Sequence, residues 1–406
     1  MSILIIVLDI VTVWGIEKVF PHFSFRYRRG IRIVFVAQIL FSLAIVVSGG
    51  LMENCVRDYR LFALFYHLFG LMLVIYLPKF LFATFLTIDI LMISVNRKKK
   101  RTRDRYSRDP KYIFSKCGLV CCLFFSGLII WGHFFGRYNY TVEKVEITFD
   151  MLPPAFDGYK IIQISDVHAG SFAGFFNRFQ EVVDIINEQH PDLIVFTGDM
   201  VNNFAEELYP LIPIFSQFRA HDGKYAVLGN HDYGGYYRWK TPTDSVANHT
   251  AIEQGLAMMD FVLLNNRAVV LSKGSLNRVA LVGLENWGIK QRHPKRGDIV
   301  QATDSVRDIP FKILLSHDPS FWSDKIESKK DIALTLSGHT HGMQMGVKLK
   351  ERRYSPAKYL YRYWAGLYQE NNSYLYVNRG LGIIGFPGRI GMSPEITVLI
   401  LRKSDN

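Results

Sequence analysis

Residues 159–168 read YKIIQISDVH, and the chain is arranged around that stretch. Tyr159, Ile161, Ile162 and Ile164 are aromatic or β-branched, and Gln163 interrupts the isoleucines. A short apolar run of this kind fits a parallel strand buried on both faces. It ends in Asp166 and His168, where the chain turns outward. At the carboxyl end of a strand, such a pair can aim a carboxylate oxygen and an imidazole nitrogen at one point, as a metal site needs. Taken alone, Asp166 reads more simply as the cap of a following helix. The ends of the other strands reverse that preference.

The region 137–158 reads as a connector with one strand at 142–150. Residues 175–190 place Phe176, Phe179, Val182, Val183 and Ile186 at helical spacing, and Pro191 ends the helix. LIVFTGD (193–199) is a second buried strand, so strand, helix and strand make a βαβ unit. YAVLGNHD (225–232), VALVGLEN (279–286), FKILLSHDP (311–319) and DIALTLSGHTHG (331–342) read as further strands, and SPEITVLILRK (393–403) as a closing one. Five strand ends carry polar clusters: Asp166 with His168, Asp199, Asn230 with His231, His317, and His339 with His341. In open α/β sheets, sites gather at the carboxyl ends of strands. Glycines before three of the clusters allow sharp turns there. Asp, Asn and His supply oxygen and imidazole donors and no thiolate, a set suited to Mn, Fe, Zn or Co. Such a set exceeds one tetrahedral site, and seven donors fit two adjacent metals sharing a carboxylate. His133, His221, His249 and His293 fall outside the series and read as structural.

The ordered series D-x-H, G-D, G-N-H-D, H, G-H-x-H within 166–341 resembles the calcineurin-like metallophosphoesterase superfamily. SGHTHGMQ (337–344) and ENWG (285–288) are most similar to its membrane-associated bacterial branch. The resemblance covers about residues 140–403. It implies an α/β fold, a metallophosphoesterase-type β-sandwich flanked by helices. It also implies that Asp166, His168 and His341 hold one metal, that Asn230, His317 and His339 hold a second, and that Asp199 bridges them. His231 would sit over the phosphoryl group as general acid or electrophile, and a metal-activated hydroxide would attack without a covalent enzyme intermediate. Asp232 and Asp318 are available to orient ligand histidines, although each reads more simply as a cap or turn carboxylate. One departure stands out. The Ser/Thr phosphatase branch carries an Asp and an Arg shortly after its G-D block, whereas this chain has Asn202 and Phe204. That argues against a protein phosphatase.

The N-terminal third is different in kind. Residues 1–136 hold 18 Lys+Arg against 7 Asp+Glu, whereas 137–406 hold 30 against 29. The basicity of the chain is therefore not a nucleic-acid footprint on the globular part. All four cysteines (Cys55, Cys117, Cys121, Cys122) also lie in this third, so neither a disulfide framework nor a thiol site is expected in the domain. Apolar runs predict about four transmembrane helices, at roughly 3–20, 31–52, 61–78 and 114–135. The first is short and carries Asp9. Pro78 is expected to kink or end the third, with 80–95 along the membrane interface. Basic loops at 21–30 and 96–112 belong in the cytoplasm by the positive-inside rule, which places residues 137–406 outside it. The N-terminus lacks the charged region and small-residue site of a cleavable signal peptide.

These readings together predict a multi-pass protein of a bacterial cytoplasmic membrane whose extracytoplasmic domain is a dimetal phosphoesterase. The bond cleaved would be a phosphodiester, pyrophosphate or phosphomonoester, with an envelope lipid or cell-wall precursor as substrate. Its expected partners are the bilayer and a phosphorylated small-molecule or lipid substrate, with no nucleic acid. Two alternatives are a phosphate-binding sensor without turnover and, for a cytoplasmic domain, a UDP-diacylglucosamine-type pyrophosphatase. The aromatic run YSPAKYLYRYWAGLY (354–368), with Lys358, Arg362 or Arg389, is a candidate substrate lip or membrane-resting surface.

Overall fold

A computed structural model describes residues 2–55, 57–99, 112–287, 295–322, 331–350 and 352–404. Most of the basic run 96–112, together with Gly288 and His293, lies outside the described residues. The chain divides into two compact units, residues 1–56 with 64–132, and residues 57–63 with 133–406.

The first unit contains helices α1 (Ser2–Val19), α2 (Phe25–Cys55), most of α3 (Tyr59–Lys99) and α4 (Ile113–Phe134). About four membrane spans were expected. Among the described residues, three helical segments are long and apolar enough to cross: Phe25–Gly49, Tyr59–Val95 and Ile113–Tyr138. Helix α1 falls short because Asp9, Glu17 and Lys18 lie within its 18 residues. Asp9 is nonetheless buried, and it forms an ion pair with Lys79 of α3. The Tyr76 hydroxyl donates to Asp9 Oδ2 at 2.9 Å, and Gln38 Nε2 donates to Tyr76 at 2.9 Å. A charge in an apolar helix bundle persists when it is paired in this way. Pro78 does not end its helix: α3 runs unbroken for 41 residues. At ~1.5 Å per residue that is about 60 Å, roughly twice a bilayer core. Asp89 caps the start of α4, accepting from the Ser115 backbone and hydroxyl at 2.6 Å each.

In the second unit the strands are β1 (Thr141–Phe149), β2 (Lys160–Ile164), β3 (Leu193–Phe196), β4 (Lys224–Ala226), β5 (Phe261–Leu263), β6 (Arg267–Lys273) and β7 (Asn277–Gly283). They continue as β8 (Lys312–Leu315), β9 (Ile332–Ser337), β10 (Val347–Leu349), β11 (Arg352–Tyr354), β12 (Gly366–Glu370), β13 (Ser373–Val377) and β14 (Glu395–Lys403). Twelve of them form two six-stranded mixed sheets, ordered β1-β14-β2-β3-β4-β5 and β12-β13-β9-β8-β7-β6, and β10-β11 is a separate hairpin. Strand alternation builds the layers. Ile161, Leu193, Val195, Ile313, Leu315 and Leu336 meet in the core between the sheets. Ile162, Ile164, Ile194 and Phe196 face the other way, onto helix α5 (Phe179–Glu188). Both faces of β2 and β3 are thus buried, which is why they read as near-continuous apolar runs. Gln163 ties the sheets together, donating to Thr197 Oγ1 at 3.1 Å and to the Ser337 carbonyl at 2.9 Å. The fold is the sandwich with flanking helices expected from the sequence.

Candidate metal centre

Each candidate side chain stands where a strand ends. Asp166 and His168 follow β2, Asp199 follows β3, and Asn230 and His231 follow β4. His317 follows β8, and His339 and His341 follow β9. The site therefore forms along one edge of the sandwich, where the carboxyl ends of strands from both sheets meet. Asp166, His168, Asp199, His339 and His341 all have left-handed backbones, with φ of 50°, 48°, 60°, 72° and 51°. Non-glycine residues there cost ~1–2 kcal/mol each, so the surroundings must hold them. They do: the Asp166 amide donates to the Gly198 carbonyl at 2.8 Å, and the His339 amide donates to the Asp166 carboxylate at 3.0 Å. At Gly198 (φ +95°) a Cβ would lie 2.7 Å from His317 Nδ1, so only glycine lets the β3 turn approach His317 of the other sheet.

The candidate ligands converge in two groups, Asp166 with His168 and His341, and Asp199 with His317 and His339, and a third group of His168, Asp199 and His231 overlaps both. His168 Nε2 lies 3.0 Å from His341 Nε2, which is 3.3 Å from Asp166 Oδ1. His317 Nε2 lies 3.1 Å from Asn230 Oδ1 and 3.1 Å from His339 Nδ1. Asp199 Oδ2 reaches both groups, 3.2 Å from His317 Nε2 and 3.7 Å from His168 Nε2. Asp199 Oδ1 accepts from the His231 amide at 2.8 Å.

The ring partners fit this set to metal ions. His168 Nδ1 donates to Asn202 Oδ1 at 3.0 Å, and His317 Nδ1 donates to the Thr197 carbonyl at 2.8 Å. Both bonds keep the proton on Nδ1 and leave Nε2 for a ligand. Two ring nitrogens 3.0 Å apart beside a carboxylate need a proton or a cation between them. The electrostatics agree. Burial works against the charge on Asp166, but His341 and His317 outweigh it and hold the carboxyl below its ordinary range. Burial likewise opposes ionisation of Asp199, and His317 and His231 overcome it. Burial also disfavours a cation on His317, yet Asp199 and Asp166 push that group up to about 10. A proton on His317 thus stands where a metal's charge would. Burial lowers His168, His231 and His339, leaving them neutral and able to ligate or exchange a proton.

The calcineurin-like phosphoesterase family model matches residues 159–343. YkuE of Bacillus subtilis, an uncharacterized metallophosphoesterase, is 32% identical over 283 residues, which are 68% of this chain and 91% of that protein. The chain belongs to the calcineurin-like phosphoesterase family. Phosphodiesterase YaeI of Escherichia coli is 28% identical over 60% of this chain and 82% of its own length. A transmembrane protein with metallophosphoesterase domain from Bos taurus is 31% identical over 65% of this chain, and the chain spans 57% of that protein. The protein is thus a metal-dependent phosphoric ester hydrolase, of a family that uses a dimetal centre, and its relatives include transmembrane proteins.

Around the phosphoesterase site the structure adds residues the sequence did not single out. Asn202, noted only as a departure from the Ser/Thr branch, orients His168 through its side chain and His231 through its carbonyl at 2.9 Å. Tyr236 accepts from Asn230 Nδ2 at 2.8 Å, which turns Asn230 Oδ1 toward His317. Its ring also stacks on His231, with centroids 4.1 Å apart. Glu207 accepts four backbone N–H groups, from Gly170, Asn202, Asn203 and Phe204, at 2.6–3.0 Å. Burial nevertheless pushes its carboxyl up to about 7. Asp232 touches no ligand ring: it accepts from the amides of Asp199, Met200, Val201 and Gly229, clamping the β3 and β4 turns together. Asp318 caps the Ser320 amide at 2.9 Å. Both are turn carboxylates. Arg389, proposed for an exposed lip, is buried and donates to the carbonyls of Arg379, Gly380, Gly382 and Met392. It buttresses the 378–382 turn, where a Cβ on Gly380 would lie 2.7 Å from Asp166 Cβ. A glycine pair after a strand (Gly380, Gly382) was the signal for that turn.

Proposed function

We propose that this domain holds two divalent metal ions, Mn, Fe, Zn or Co, and hydrolyses a phosphodiester, pyrophosphate or phosphomonoester bond outside the cytoplasm. Its substrate class is a lipid or cell-wall precursor of a bacterial envelope, and apolar helices anchor it in the cytoplasmic membrane. One observation carries the reading: Asp199 Oδ2 lies within 3.7 Å of a histidine from each of the two groups, as a shared ligand must. Asp166, His168 and His341 would hold one ion, Asn230, His317 and His339 the other, and Asp199 both. When bound, such a pair supplies Lewis acidity and a nucleophilic hydroxide at neutral pH. The chain's own part is positioning and proton transfer. His231 is fixed by its Nδ1 bond to the Asn202 carbonyl and by the Tyr236 stack, and its Nε2 is the atom that can carry a proton for the leaving oxygen.

The anchoring side follows from charge. Arg26, Arg28 and Arg29 lie at the start of α2, and the run 96–112 separates α3 from α4. With α2, α3 and α4 crossing, both basic segments fall in the cytoplasm and the domain outside, whether or not α1 also crosses. A diester among these bonds is supported by the activity named for YaeI, and the lipid class by anchoring.

The test is hydrolysis by the detergent-purified chain, stripped of metal and reloaded with Mn, Zn, Fe or Mg. A chromogenic diester and a monoester are compared, with Asp199→Asn as control. Metal-dependent turnover lost in the control is the expected result. Bound metal without turnover of either ester would move the protein to a phosphate sensor. Protease access to the domain from the cytoplasmic side would reverse the orientation and bring a UDP-diacylglucosamine-type pyrophosphate back as substrate.

A further inference from the structure

The connection from Gln344 to Trp364 is fastened to the 339–342 loop midway, at Ser355, and at its end, at Trp364. The Ser355 hydroxyl donates to the Gly342 carbonyl at 2.7 Å, and Thr340 Oγ1 donates to the Trp364 carbonyl at 2.6 Å. Between these ties, the Tyr361 ring stands edge-on to His339, with centroids 5.7 Å apart. The segment is therefore part of the rim of the site. Its β10–β11 hairpin has two chemically different faces, fixed by register: Val347 opposes Tyr354, Leu349 opposes Arg352, and Lys348 opposes Arg353. Directly opposed residues share a face. Arg353 is ion-paired with Glu143 of β1, so the Lys348–Arg353 face lies toward the domain. The other face turns Val347, Leu349 and Tyr354 to solvent, with Leu349 59% exposed. The short helical turn at Pro356–Tyr359, capped by Ser355, then presents Tyr359 and Leu360, which are 79% and 69% exposed. Residues 345–361 carry Lys348, Lys350, Arg352, Arg353 and Lys358 against Glu351 alone.

Exposed leucine, valine and tyrosine within a cationic rim match an anionic phospholipid surface. The apolar side chains suit the acyl boundary, tyrosine the headgroup level and the cations the lipid phosphates. The chain itself carries helices apolar enough to cross a membrane, so a bilayer is the surface at hand. We propose that this rim, formed by β10–β11 and Lys358–Leu360, seats on anionic phospholipid and delivers bilayer-resident phosphate esters to His339 and its neighbours; the delivery rests on the phosphoesterase reading above. This assigns Leu349, Tyr359 and Leu360 to lipid contact and Lys350, Arg352 and Lys358 to headgroup contact.

The test uses the full chain with Leu360→Cys, its four native cysteines replaced by serine, and a spin label at position 360. The labelled protein is reconstituted in nanodiscs of phosphatidylcholine alone or with one-third phosphatidylglycerol. Access of a water-soluble nickel chelate to the label should fall several-fold in the anionic discs, while oxygen access rises. A label equally accessible to nickel in both compositions would overturn the seating. Equal protection in both bilayers would remove the anionic-lipid assignment. Protection already present in detergent micelles would mean that protein, such as a second copy of the chain, covers the rim. Metal-dependent turnover of a soluble diester is measured on the same discs. Turnover with an exposed label rejects the rim and keeps the phosphoesterase, and a lipid-protected label without turnover does the reverse.

Discussion

Asn202 and Tyr236 show what single residues do at this site. Asn202 holds two histidines at once, His168 by its side chain and His231 by its backbone carbonyl. Losing a partner that orients a metal-ligating histidine typically costs 10–100-fold in metal affinity or activity. Asn202→Ala should therefore weaken metal affinity by about 10-fold or more, read by metal titration of turnover, and Asn202→Asp should recover most of it. Tyr236 separates two roles, because its hydroxyl serves Asn230 and its ring serves His231. Tyr236→Phe should shift the metal titration by about 10-fold or more yet approach wild-type kcat at saturating metal. Tyr236→Leu should lower kcat even when metal saturates. Identical metal titrations for wild type and the Phe variant would remove the role of the hydroxyl.

Elements set the geometry through their ends. The turns after β3 and β4 meet over Asp232, whose carboxylate satisfies four backbone amides. Burial and the nearby Asp199 push that carboxyl up to about 7, so the clamp tolerates its charge only because the amides surround it. Asp232→Ala leaves those buried donors without a partner at ~1–3 kcal/mol apiece, and should destabilise the fold by at least about 3 kcal/mol. Denaturant unfolding measures this, and a loss below about 1 kcal/mol would show that the turns hold without the clamp. In the helical unit, Asp9 of α1 and Lys79 of α3 form the corresponding tie. Asp9→Leu strands a buried lysine and should cost ~3–5 kcal/mol, whereas Asp9→Leu with Lys79→Leu should restore most of the stability. Thermal unfolding in detergent compares the two. A double variant as unstable as the single one would mean that packing, not charge, joins these helices.

For the whole molecule, metal and protons compete. His317 is raised to about 10 by Asp199 and Asp166 against burial, so its imidazolium stabilises the metal-free fold. That stabilisation is fully present below the ordinary histidine value of ~6.5 and is lost as pH rises through about 10. The metal-stripped protein should melt at progressively lower temperature from pH 7 to pH 9.5, and the reloaded protein should not. A flat apo profile would show that His317 is not held as a cation. Metal uptake at pH 8 should release a proton for the same reason.

The sequence by itself determined eight of the twelve sandwich strands, the first βαβ unit and the five polar strand ends, because strands buried on both faces must be apolar and metal chemistry needs a restricted set of donors; β5, β6, β12 and β13 carried no such signal. Burial of β2, β3 and β8 on both faces wrote those runs plainly. The apolar helices were equally visible, since lipid tolerates few charges. The sequence did not show which polar residues were held by backbone and which held ligands. Asp232 and Asp318 read as turn carboxylates and are so, but only the folded turn decides that Asn202 orients two histidines. Arg389 read as a surface cation until four carbonyl acceptors, three of them in the 378–382 turn, enclosed it. Asp9 and Lys79, 70 positions apart, became a buried pair only when α1 and α3 packed together. Local composition reports what a residue can do within its own strand or helix. Who its partner is depends on contacts between segments far apart in the chain, and those are set by the packing of the sheets and helices.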